Sequence, residues 1–199
     1  MKRELLTLIL LVPGLLLFGQ VNSIHGGVFA QSYSKEITEY RVKEFIIRDI
    51  LQIPDKQTIE VHINALTASK SGQLTTIIYD CKELAKRGLV FGFWNDQIND
   101  FNLRYQGYAF KNFEFEKSKD LLDNLEKVLE EKNDILSAGN EDLSKNALYK
   151  FDDIIFIFYK DVFGANQIRV LWNGFDSEWN QSNLQTMKRR FYKYFINKK

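Results

Sequence analysis

The run from Leu5 to Phe18 decides which residues are available to fold. It is apolar apart from Thr7 and the Pro13-Gly14 pair, and it follows a short basic head, Met1-Lys2-Arg3-Glu4. A basic head before an apolar core of roughly 7–15 residues is the pattern of a secretory signal peptide. The run falls short of the roughly 20 apolar residues that a membrane-spanning helix needs, and Pro13-Gly14 interrupts it. It is apolar on every side, unlike a helix that lays one stripe on a core. Small residues offer two cleavage points, Ser23 after Val21-Asn22 and Ala30 after Val28-Phe29. Ala30 suits the position better, and polar Gln31-Ser32 follows it. The reading is a signal peptide over 1–30 and a single globular domain over 31–199, in the periplasm or outside the cell, with no stable membrane span. Neither cleavage point carries a cysteine, which excludes a lipoprotein anchor.

Without the leader, 169 of 199 residues remain, with 25 basic and 25 acidic side chains, because Lys2, Arg3 and Glu4 leave. That length suits one domain with a full core. A charge-balanced domain is a poor nucleic-acid binder, since that affinity rests on neutralising phosphates. Cys81 is the lone cysteine and cannot form an internal disulfide, so the core alone stabilises the fold. His25 leaves with the leader. His62 and Cys81 together are too few for a zinc site built on His and Cys, and no acidic calcium loop is present. No cofactor is implied. Frequent Lys, Asn, Ile, Phe and Tyr with scarce Pro fit an AT-rich bacterial genome.

The periodicities predict an α+β domain. Tyr33 to Leu51 reads as a helix ending before Pro54. Thr58 to Ala65 alternates with period two and, with Leu74 to Tyr79, predicts an antiparallel hairpin about Ala68–Gly72. Cys81 to Arg87 reads as one helical turn closed at Gly88. Leu89 to Trp94 and Leu103 to Phe115 follow as strands, with a polar loop over Asn95–Asn102 between them. Glu116 to Leu136 is the clearest helix, with Leu121, Leu122, Leu125, Val128 and Leu129 on one stripe. Phe151 to Tyr159 is a nearly unbroken apolar run, as in a strand buried on both faces. Ile168 to Trp172 returns the chain, and Asp176 or Ser177 caps a last helix that runs to about Phe195. The expectation is one antiparallel sheet of about six strands with two or three helices on one face. No internal repeat is evident.

Few residues point to chemistry. His62 shares the polar side of its strand with Glu60 and Asn64, so a nucleophilic pair with Cys81 depends on the hairpin register. Asp152-Asp153 reads as a polar strand entrance, and neighbouring strand residues point to opposite faces. Lys188, Arg189, Arg190 and Lys193 suit the negative end of the last helix dipole. The most distinctive stretch is Trp172-Asn173-Gly174-Phe175-Asp176-Ser177-Glu178-Trp179-Asn180. Trp172, Phe175 and Trp179 offer aromatic faces, while Asn173, Asp176 and Glu178 offer hydrogen-bonding groups, a mix suited to a peptide or sugar rim. The same residues also serve plain architecture, with Gly174 turning the chain at positive φ and the aromatics pinning it down. The functional expectation is an exported bacterial, non-enzymatic domain that binds a protein, peptide or glycan. A small hydrolase using the Asp176 and Glu178 carboxylates is the second reading.

Overall fold

The structure, a computed structural model, describes residues 34–98, 100–137 and 145–196. The leader and its two cleavage points lie outside the described residues. The chain enters on a helix, α1, over residues 34–45 that runs directly into a π-helical segment, Ile46–Leu51. Gln52 ends it in the left-handed conformation, two residues before Pro54. Four antiparallel strands follow and pair in chain order: β1 (His62–Ala68), β2 (Leu74–Cys81), β3 (Lys86–Ile98) and β4 (Arg104–Glu114). Helix α2 (Phe115–Ser137) begins at the next residue. The pattern then recurs with β5 (Ala147–Phe151), β6 (Ile154–Lys160), β7 (Asn166–Trp172) and β8 (Phe175–Asn180), and α3 (Gln181–Phe195) follows at once.

The class is α+β in a single domain, as the periodicities imply. The sheet is not a single one of about six strands: among the described residues, eight strands form two four-stranded sheets, and the three helices do not share one face. Two strands were hidden in the sequence. Asn173 and Gly174 have φ of 48° and 78°, which makes them a two-residue hairpin turn of the type that matches strand twist. The stretch after it is therefore β8, not the start of a helix. Asp176 and Ser177 do not cap α3. Asn180 does, its side chain accepting from the Asn183 N–H at 2.8 Å while the Asn183 side chain accepts from the Asn180 N–H at 3.3 Å. Likewise Asp152 (φ 52°) and Asp153 form a turn that separates β5 from β6. The segment after Cys81 is the turn between β2 and β3, with Ala85 at φ 50°, rather than a helical turn, and β3 runs on through the expected loop to Ile98.

The inner faces of the two sheets share one core. Phe91, Phe93 and Phe113 come from the first sheet, Phe156, Phe158 and Trp179 from the second, and Leu121, Leu125, Met187 and Phe191 from α2 and α3. The recurrence extends to detail. Phe113 and Trp179 each lie at the end of the strand that feeds a helix, and both pack edge-on against Phe91, at 5.4 and 5.8 Å. On the outer face of the first sheet, Val42 of α1 and Ile46 and Leu51 of the π-helical segment cover Ile77, Tyr79, Cys81 and Val90 in a second core. Gly92 permits that approach, because a Cβ there would lie 2.2 Å from Val42 Cγ2. The second sheet has no such cover among the described residues.

Candidate functional site

The six residues singled out at Trp172–Asn180 separate onto two faces of the second sheet. Phe175 and Trp179 are buried in the shared core, and Trp172 is half-buried against it, 5.2 Å from the Phe93 ring. The Trp172 indole N–H donates to Asp153 Oδ2 at 2.8 Å. Asp176 and Glu178 point the opposite way and are exposed, as expected from strict alternation along β8. Asn173 sits in the turn. The aromatic and the acidic groups therefore do not converge on one ligand.

The exposed side of that alternation is a surface of its own. Register sets its residues in rows. Tyr159, Gln167 and Asn180 form the first, Leu148, Ile157, Arg169 and Glu178 the second, and Lys150, Ile155, Leu171 and Asp176 the third. Four aliphatic side chains thus lie together, and Leu148 is 70 % exposed and Ile155 38 %. This overturns the reading of Phe151–Tyr159 as a strand buried on both faces. Ile154, Phe156 and Phe158 are buried inside, while Ile155 and Ile157 face outward with no helix among the described residues over them. On the polar margin, Arg169 donates to both carboxylate oxygens of Asp176, through Nε at 2.6 Å. Tyr159 Oη donates to Glu178 Oε1 at 3.3 Å. Burial, then the Glu178 charge and hydrogen bond, push the Tyr159 hydroxyl above its ordinary range.

A cleft of about 690 Å³ opens at the Tyr159 end of this face, lined by Lys70, Tyr159, Asp161, Glu178, Trp179 and Asn180 among others. The Trp179 Nε1 is buried with no hydrogen-bond partner among the described residues. Asp161 is committed to its own turn. Its Oδ1 accepts the Phe163 and Ala165 N–H groups at 2.9 Å each, and its Oδ2 accepts the Gln167 amide at 2.7 Å. The Ala165 amide first and the Gln167 amide next hold its pKa low.

Carboxylate catalysis finds little geometric support. Asp176 and Glu178 are two positions apart on one face of one strand, whereas glycoside chemistry needs two carboxyls on opposite sides of a bond. The shifted carboxyls among the described residues, at Glu83, Asp123, Asp153 and Asp161, all move downward, away from the range of a general acid. The register also separates the other pair. His62 lies opposite Asp80, in a register shifted by a bulge at Ala65–Thr67. Cys81 faces the α1 side, buried beside Tyr79, whereas His62 faces Tyr194 on the other side and meets Glu60 at 3.0 Å. No cluster of three or more His, Cys, Asp or Glu side chains suited to a metal occurs among the described residues.

The basic end of α3 does more than complement a dipole. Lys188 bridges Asp123, at 2.8 Å, and Glu126 on α2, and Arg190 donates to the Leu66 carbonyl of β1. Tyr192 Oη donates to Asp123 at 2.6 Å, and burial and then that bond push its hydroxyl up to about 12. These are ties between elements. No helix among the described residues is long and apolar enough to cross a membrane. No protein-family model, curated protein or solved structure matches this chain.

Proposed function

We propose that this chain is an exported bacterial binding domain, without enzymatic activity, whose working surface is the outer face of the second sheet, and that its ligand is a protein or peptide. One observation carries the reading. Among the described residues, the domain builds the same four-strand unit twice, covers the outer face of the first with α1, and leaves the same face of the second open with Leu148, Ile155, Ile157 and Leu171 on it. A clustered apolar patch with a polar margin is what a docking surface requires. The Arg169–Asp176 pair and the Tyr159–Glu178 bond supply that margin. A glycan would use the adjoining cleft, where Tyr159, Glu178 and Asn180 offer a ring and hydrogen-bonding groups.

Export rests on the leader. Intact mass of the exported protein is expected to begin at Gln31; retention of Met1 would overturn cleavage. Capture from the native envelope or secreted fraction tests the binding surface. Wild type is expected to retain a protein or peptide that Ile155→Lys loses and that Tyr40→Lys, on the exposed side of α1, keeps. Equal retention by all three places binding elsewhere.

A further inference from the structure

We infer that the occupant of this open face is a second copy of the chain, docked face to face about a twofold axis. The inference rests on the reading of that face as a docking surface and adds its partner. The face is unequal from edge to edge in a way that suits itself. Lys150, on edge strand β5, has no ion-pair partner among the described residues. Asp176, on edge strand β8, is paired with Arg169 of the neighbouring row, and Glu178 beside it accepts from Tyr159. The β5 edge is thus positive and the β8 edge acidic, with aliphatic side chains between them.

A twofold axis parallel to the strands and midway between β6 and β7 lays β5 of one copy over β8 of the other. Lys150 of each copy then faces Asp176 of the other, and Ile155 faces Leu171 on both sides of the axis. Asp176, already paired with Arg169, gains a second cation, and the lysine that lacks a partner acquires one. An axis perpendicular to the strands would instead set β5 on β5 and β8 on β8, like charge against like. Four strands about 4.8 Å apart, with about five residues along each, give a footprint of roughly 20 by 17 Å. The two copies together bury only about 700 Å², less than the roughly 1,000 Å² that a stable specific interface clears. The dimer is therefore in equilibrium with monomer, and it is weakened by salt through its edge charges.

Sedimentation velocity on the exported protein, from about 10 μM to about 1 mM, reads this directly. The mean mass of wild type is expected to climb toward twice the monomer. Ile155→Lys, a change at an exposed position, stays monomeric while its circular dichroism matches wild type. Lys150→Glu weakens association at least tenfold, and adding Asp176→Lys restores part of the loss. A wild type that remains monomeric at about 1 mM, or a Lys150→Glu variant that dimerises as wild type does, overturns the dimer. If that monomer still retains another protein through Ile155 in the capture experiment, the docking surface stands and only its partner is wrong. If it retains nothing through Ile155, both readings fall.

Discussion

Trp179 ends β8 with its ring edge-on to Phe91 and almost no surface in contact with solvent. Truncating it to Ala is expected to cost about 3–5 kcal/mol by opening a cavity. Thermal unfolding checks this, and a melt within a degree of wild type would contradict the burial. The sequence carries both of its possible roles, since a Trp beside Glu and Asn suits a rim or a core equally well. Only the turn at Asn173-Gly174 decides, by fixing which side of β8 faces inward. Asp153 titrates low for a legible reason. The Lys111 ammonium, 2.5 Å away, and then the Trp172 indole hold its carboxyl at about 2, below the ordinary 3.8. A depressed folded value means that its contribution to stability is present above about 4 and is lost as pH falls toward 2. Asp153→Asn is expected to flatten urea midpoints between those values, modestly because the side chain is exposed. Tyr192 has the opposite sense. Its hydroxyl is raised to about 12, so its contribution is present below about 10 and is lost as pH rises from there to 12. Tyr192→Phe is expected to remove that alkaline decline; an unchanged curve would mean that the Asp123 bond is not formed.

Gly92 is where one element depends on another. No backbone strain requires glycine there; the space is filled by Val42 of α1. Gly92→Ala is expected to destabilise by about 1–3 kcal/mol by lifting the helix from the sheet. Val42→Ala in the same chain is expected to recover part of that, although alone it loses core contact. Calorimetry of the two single variants and the double variant gives the coupling, and strictly additive losses would contradict direct packing. Elements with long, regular patterns were legible. The α2 stripe of Leu121, Leu122, Leu125 and Leu129 and the alternation about His62 gave the right element on the right face. β5 was not legible, because it is short and closes on Asp152-Asp153, a turn without glycine, whereas β8 was signalled by the Asn173-Gly174 hairpin pair but is masked by carboxylates that also suit a helix start. The apolar run at Ile154–Tyr159 misled for a different reason. Periodicity reports which side chains avoid water, but not whether the cover comes from the same chain.

Across the whole molecule, the unit of four strands and a helix occurs twice with no matching sequence repeat. Similar core positions are filled by unlike residues, as Phe113 and Trp179 are on Phe91, so a comparison of residue identities does not find it. The doubling makes the open sheet conspicuous, since one copy of the unit shows what a covered outer face looks like. The open face could not be read from Leu148, Ile155, Ile157 and Leu171 singly; it requires the register that sets them side by side. The central claim is that this face is occupied in the cell. Its most direct test is a photoreactive phenylalanine analogue at position 155, irradiated in the native envelope or secreted fraction, with the same group at position 40 on α1 as control. Cross-linking is predicted at 155 and not at 40, and a 155 adduct of twice the monomer mass would identify a second copy. Equal yields at both positions, or none at 155, would contradict the account.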